Sequence, residues 1–322
     1  MTYNVLLGGE GREDLIAGVI SRAAPDVVAL QEVTDLALVD RLAAELGMEA
    51  VVGAPADEAS TLNIVVLSRF AVTAKRNHPH PGMLRTHLEV EVRLPSRALP
   101  RVRLHAVHLA ARFGEPRNGE ARRMREIGAV LDDIREAAPG PHIILGDLNA
   151  VAPGDVVAAT DFFARMRELQ DAGVVVRGED GFMGPIARPE DDDMEHDSRW
   201  HAVDIHPRLD VGIPRLPWVV GPATRRLPRL EMLDRLLNTR IRRDTVEHLQ
   251  QLGYVDCYRE LHDDAGFTCA TWMPACRIDY LFADPRLAPR LESCAVVGGP
   301  GLPDPEADSA SDHFPVVATF TL

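Results

Sequence analysis

Three short segments of this chain are apolar at almost every position: "VVAL" at 27–30, "NIVVL" at 63–67 and "HIIL" at 142–145. A half-exposed strand alternates, because successive side chains point to opposite faces. Unbroken runs of this length, rich in β-branched residues, predict strands buried on both faces. Amphipathic helices are interleaved with them. "EDLIAGVISRAA" sets Leu15, Ile16, Val19 and Ile20 at helical spacing before Pro25 breaks it, and "LALVDRLAAELG" is stopped by Gly47. "RTHLEVEVRL" alternates strictly, and "RVRLHAVHLAA" follows it across a Pro-flanked turn, which predicts a hairpin. A long helix is predicted over "NGEARRMREIGAVLDDIREAA", followed by the strand "HIILGD". Three more strands close the chain: "RIDYLFAD", "ESCAVVG" and "HFPVVATFTL". Hairpins mixed with helices in this way imply sheets covered by helices, an α/β or α+β layered domain.

After Asn149 the regularity fails. Residues 155–227 are rich in Pro, Gly and charge, too long a stretch for an ordinary connection, and are expected to be an insertion or lid. Helical pattern resumes at "LEMLDRLL" and "RDTVEHLQQLG". With no repeat and no linker composition, residues 1–322 are read as one domain.

The net charge is −14, from 35 basic and 49 acidic side chains. Such a chain repels DNA, RNA and anionic membrane at long range, so no strong nucleic-acid footprint is expected. A bound cation can reverse that sign inside one cleft. Aromatics are 5%, too few to advertise a stacking platform for single strands. Cys257, Cys269, Cys276 and Cys294 lack the spacing of a zinc site and are read as free thiols of a reducing compartment. No segment has transmembrane length and no secretory signal precedes the first strand, so a cytoplasmic protein is expected. "MTYNVLLGG" is strand-like from its second residue, which leaves open a start further upstream.

The chemistry lies in polar groups set against these apolar strands. They are Asn4 in the first strand, Glu32 in "LQEV", His108 in "VHL", Asp147 and Asn149 in "GDLN", Asp279 in "RIDYLF", and Asp312 with His313 in "SDHF". Singly, "GDLN" or "SDHF" reads more readily as a turn acid with a capping role. A buried ionised group needs a partner, however, and several converging at one end of a sheet can satisfy one another around a cation. Asp147 and Asn149, two positions apart on a strand, are expected to face one pocket with Leu148 turned into the core. Oxygen ligands without thiolates select a hard cation such as Mg²⁺ or Mn²⁺. An activated water with an adjacent imidazole then describes in-line attack at phosphorus.

As an ordered set, Asn in the first strand, "QEV", "VHL", "GDLN", "RIDYLF" and "SDHFPV" resembles the endonuclease/exonuclease/phosphatase superfamily, also called DNase I-like. The likeness spans nearly the whole chain and is weakest between 155 and 250. It implies a four-layer sandwich of two packed, mostly antiparallel β-sheets flanked by helices, with the active site at one end. By this resemblance Glu32 is the principal metal ligand, helped by Asn4 and Asp312. Asp147 orients or deprotonates the attacking water, and Asn149 holds the phosphate. His313 contacts the phosphoryl oxygens and is oriented by Asp279, while His108 matches a position that protonates the leaving group. Leu6 stands where DNA-repair members often carry an acid, which speaks against a second metal there.

The expected activity is therefore Mg²⁺-dependent phosphodiester hydrolysis, since a His108 acid serves a poor alkoxide leaving group. A phosphomonoesterase or phospholipid head-group hydrolase is the alternative, and a binding member without catalysis is the rival from another class. The phosphate ester and the oligomeric state stay open. The acid- and His-rich run from Asp191 to Asp210 is read as a solvated lid loop rather than a metal site, and "NHPHPG" at 77–82 likewise, with lining of the cleft as its alternative. "GGPGLP" is a loop, not a phosphate cradle, because no helix follows it. Arg122, Arg123 and Arg125 are read as a solvated face with one inward member, and Arg85 as an exposed strand residue ahead of the alternative that it reaches the phosphate.

Overall fold

The computed structural model describes residues 1–9, 11–54, 63–83, 85–111, 116–161, 164, 175–177, 182–185, 200–206, 209–214, 216–217, 231–271 and 275–322. Two six-stranded sheets form its centre. The first contains β1 (Thr2–Asn4), β2 (Val27–Val33), β3 (Glu49–Val52), β4 (Asn63–Ser68), β16 (Leu291–Val296) and β17 (Val316–Phe320), in the order β16-β17-β1-β2-β4-β3. The second contains β5 (Val72–His78), β6 (His87–Arg93), β7 (Arg101–His108), β8 (His142–Asp147), β14 (Val255–Asp256) and β15 (Asp279–Ala283), in the order β14-β15-β8-β7-β6-β5. Each sheet has one parallel pair near its middle, β1 with β2 and β7 with β8; the other pairs are antiparallel.

Alternation along the strands explains the layers. In the second sheet Leu104, Ala106, Ile143, Leu145, Leu281 and Ala283 turn inward and share one core with Ala29, Ile64 and Val66 of the first sheet. Their neighbours Val107, Ile144, Tyr280 and Phe282 face outward, under α3 (Pro116–Glu136) and α5 (Asp244–Gln251). That is why "HIIL" is apolar at both parities. Each fully buried aliphatic side chain of this kind contributes about 1.5–3 kcal/mol. On the far side, α1 (Glu13–Ala23) and α2 (Leu36–Leu46) cover the first sheet through Leu15, Ile16, Val19, Ile20, Leu38, Val39 and Leu42. The α2 helix opens with Asp35, whose carboxylate accepts from the Ala37 amide at 2.8 Å, and closes with Gly47 in the left-handed conformation. The expected helix–sheet–sheet–helix sandwich is thus the observed fold.

Two further short helices are α4 (Glu231–Asn238) and α6 (Ala307–Ala310). Strands β9 (Val175–Arg177), β10 (Phe182–Pro185), β11 (Trp200–His206), β12 (Leu209–Pro214) and β13 (Leu216–Pro217) pair only among themselves, among the described residues, in two small sheets. Most of the 155–227 insertion, and Asp191–Arg199 of the acidic run, lie outside the described residues. All four cysteines are free, as expected. No helix among the described residues is long and apolar enough to cross a membrane.

Candidate active site

Strand register brings the polar strand ends together. His108 pairs with Asp147 across β7 and β8, and Asp147 pairs with Asp279 across β8 and β15. In the other sheet Asn4 lies opposite Gln31, next to Glu32, while Thr2 pairs with Val316 at the start of β17. The last residue of β1, the end of β2 and the approach to β17 therefore meet the ends of β7 and β8 at one edge of the sandwich. Asn4, His108, Asp147, Asn149, Asp279 and His313 are all buried there, and Glu32 and Asp312 partly so.

Local backbone makes this possible. Gly146 has φ +147°, and a Cβ added to it would stand 1.9 Å from the Val107 carbonyl oxygen. Only glycine lets β8 lie that close to β7, and so delivers Asp147 beside His108. Glu32 sits at an irregularity in the β2–β4 pairing with φ +61°, a left-handed conformation rare for a non-glycine residue. Its carboxylate accepts from the Leu7 amide at 3.0 Å and from Asn4 Nδ2 at 3.1 Å.

Asn4 is the bracket of the site. Its Nδ2 also donates to Asp147 Oδ2 at 3.1 Å, while its Oδ1 accepts from the Leu6 amide at 3.1 Å. Asp147 Oδ2 further lies 3.4 Å from His108 Nε2 and 4.0 Å from His313 Nε2, and its Oδ1 accepts from the Asn149 amide at 2.8 Å. His313 Nδ1 bonds Asp279 Oδ2 at 2.8 Å, and its Nε2 is 4.0 Å from Asp312. Ser311 supports this corner, donating to the Asn4 carbonyl at 2.7 Å.

One geometric expectation needs correction. Strand β8 ends at Asp147, and Asn149 has φ +48°, so the two side chains are not related by strand alternation. Asn149 instead donates from Nδ2 to the Leu109 carbonyl at 3.0 Å. Leu148 is fully buried, as expected, among the residues packed under α3. Arg85 also departs from the exposed-strand reading. The strand begins only at His87, so alternation does not govern it; Arg85 is half-buried, and its Nε is buried without a hydrogen-bond partner. Its guanidinium is pushed down by burial and drawn the other way by Glu32, Asp147 and Glu126. No spacing rule marks it, because a bend at 85–86 sets its direction. Among the helical arginines, Arg123 is the inward member, paired with Glu120 at 2.7 Å.

Electrostatically the edge is overloaded with acid. Burial, then Asp279 and to a lesser degree Glu32, push the Asp147 carboxyl up to about 7, against the pull of His313. Asp312 is raised by burial, with Glu32 and Asp279 adding to it against His313 and Arg12. Burial alone would lower His313, but Asp279, Asp312 and Asp147 outweigh it and hold the imidazole well above its ordinary value. His108 is held well below, by burial and then by Arg85 and His313. The result is a near-neutral carboxyl, an imidazolium and a neutral imidazole at one edge. Asp147, Asp279 and His313 offer donor atoms all within 4.8 Å of one another. Asp279 Oδ1 is buried with no partner. Excess buried carboxylate oxygen without thiolate is the donor chemistry that suits a hard divalent cation.

No curated protein matches the sequence. Solved structures share its fold. An AP endonuclease from Archaeoglobus fulgidus superposes with a TM-score of 0.60 at 14% identity, over 100% of this chain and 98% of that one. Truncated TDP2 from Caenorhabditis elegans gives 0.52 at 18% identity, over 100% and 96%. The 3′ phosphatase NExo from Neisseria, bound to product DNA hairpin, gives 0.51 at 17%, over 100% and 98%. A family model described as "Endonuclease/Exonuclease/phosphatase family" matches residues 1–313, and the chain belongs to that family.

Proposed function

We propose that this chain is a divalent-metal-dependent phosphodiesterase that cleaves by direct in-line attack of water, with no covalent enzyme intermediate. The observation that carries the reading is the Asp147 carboxyl pushed up to about 7 and set 4.0 Å from the imidazole of His313. A base poised near neutrality, beside a cation able to meet a phosphoryl oxygen, is what water attack at phosphorus requires. Asp147 takes the proton of the attacking water. His313, held by Asp279, neutralises the charge growing on the phosphoryl oxygens, and Arg85, whose charge is felt by Asp147 and His108, adds a second cation. Asn149 stands beside Asp147 to hold the phosphate. His108 is neutral in the free site; the incoming anion raises its proton affinity, so that it loads a proton and passes it to the leaving alkoxide.

Mg²⁺ or Mn²⁺ held by Glu32 and Asp312, with Asn4 beside them, would supply charge neutralisation and Lewis-acid polarisation of the phosphate. The AP endonuclease and the 3′ phosphatase among the structural neighbours keep both diester and monoester chemistry in view. The net charge of −14 opposes polyanions at long range, so the proposal names a phosphodiester and no particular polymer.

Hydrolysis of bis-(p-nitrophenyl) phosphate and of p-nitrophenyl phosphate, each with Mg²⁺, Mn²⁺ or EDTA, tests it. Metal-dependent diester cleavage that His313→Ala abolishes is expected. Turnover of the monoester alone would move the assignment to a phosphomonoesterase, and Mg²⁺ binding without turnover of either would favour a binding role.

A further inference from the structure

On the opposite face of the second sheet, away from the carboxylate edge, a row of histidines lies under α3. His78, His87, His105 and His142 come from the adjacent strands β5, β6, β7 and β8, with successive ring centroids 4.6, 5.1 and 5.5 Å apart. At one end the row closes on a carboxylate from the helix. Asp133 Oδ2 lies 2.7 Å from His80 Nε2 and 2.9 Å from His87 Nδ1, and its Oδ1 lies 3.3 Å from His78 Nδ1. "NHPHPG" is thus not a solvated loop: Asn77 and His78 end β5, and His78 and His80 fold back toward the helix.

We propose that His78, His80, His87 and Asp133 form a second metal site, for a borderline first-row divalent cation and for zinc above all. Four donor atoms, three imidazole nitrogens and one carboxylate oxygen, lie within 4.8 Å of one another. Three nitrogens and one oxygen in a closed set are a tetrahedral zinc donor set, unlike the oxygen-rich edge. At bonds of about 2.0–2.1 Å, tetrahedral donors stand about 3.3 Å apart, so the nitrogen–oxygen pairs need little movement.

The outer contacts point the same way. His78 Nε2 lies 2.9 Å from Glu89 Oε2 while its Nδ1 faces Asp133. A neutral imidazole has one proton and cannot donate to both carboxylates. With the proton on Nε2 for Glu89, the bare Nδ1 faces the centre, where a cation replaces its clash with Asp133. His87 likewise turns Nδ1 to the centre and Nε2 to His105 Nδ1 at 2.9 Å. Metal-bound histidines ordinarily hold such a partner on their second nitrogen. Pro79 and Pro81 flank His80 and restrict its backbone, lowering the entropy of presenting it. The cation would join both ends of the segment 79–86 to α3, and that segment carries Arg85.

Cobalt and zinc titrations of the chelator-stripped full chain test this, with Glu32→Gln as background to disable the carboxylate edge. The expected result is one equivalent of cobalt with the intense visible absorption of a tetrahedral site, displaced by zinc. His80→Ala in that background should weaken zinc binding more than about 100-fold, and Glu89→Gln by about 10- to 100-fold. Glu89→Gln touches no donor atom, so it keeps the comparison informative if His80→Ala fails to fold. A weak six-coordinate cobalt spectrum, no bound cobalt, or zinc affinity unchanged by both substitutions would overturn the proposal. Activity of the wild-type enzyme is not the readout, so loss of the phosphodiesterase assignment would leave this result intact.

Discussion

The two Asp–His clusters occupy different parts of the second sheet and behave in opposite ways. At the edge, Asp147 is buried beside Asp279 and near Glu32, and its carboxyl is pushed up to about 7. Under α3, burial also works against Asp133, but hydrogen bonds from His87 and His80 win and hold it down at about 2. The same residue types thus yield a base ready to titrate in one place and a fixed anion in the other. Neighbours decide it: acid beside acid stores proton affinity, whereas acid ringed by imidazoles gives it up. The first arrangement suits a reaction and a hard cation, the second a permanent ligand set.

The largest effect is expected from His313→Ala, which should lower metal-dependent diester turnover by about 10³-fold with the fold retained. Steady-state kinetics beside a thermal melt would check it; turnover within tenfold of wild type would make the edge cluster as static as the outer one. Gly146→Ala should cost about 3 kcal/mol or more in urea unfolding, because the new methyl meets the Val107 carbonyl of the adjacent strand β7.

Asp147→Asn sharpens the contrast in pH. The folded carboxyl binds its proton more tightly than the unfolded one, so metal-free protein should lose stability as pH rises from about 4 to about 7. The substitution should remove that slope, stabilising the metal-free chain at pH 8 by ~2–4 kcal/mol while abolishing activity. Asp133 predicts the opposite sign: its contribution is present above about pH 4 and is lost as pH falls toward about 2. Denaturant midpoints across pH, with Asp133→Asn as partner, would show whether the two slopes oppose each other.

Smaller effects should follow from Arg85→Met, a fall of roughly 10- to 100-fold in kcat/KM from loss of a charged contact to the substrate. An unchanged value would return Arg85 to a structural role. Glu89→Gln in zinc-free protein should alter stability by less than about 1.5 kcal/mol, since the amide oxygen can still accept from His78 Nε2.

Much of this was legible from one dimension. Both-face burial of "HIIL" and alternation in "HLEVEVR" depend only on strand period, and they dictate layers on each side of a sheet. Polar residues at the ends of apolar strands mark Asn4, Glu32, His108, Asp147, Asp279 and His313 in the sequence itself, because burial of such groups demands partners. Long-range packing set the rest. Asn149 left the strand pattern at a left-handed turn, and Arg85 was turned inward by a bend outside any periodic element. His87 and His105 look like ordinary outward positions of half-exposed strands, and Asp133 like one more acid on a charged helix. Their meeting is decided by which helix covers which face. Sequence alone determined the strands, the layers and the identity of the catalytic candidates, since those follow from local period and the cost of burying charge. Only tertiary structure decided the direction of each pKa shift and the second cluster, because both arise from neighbours distant in the chain.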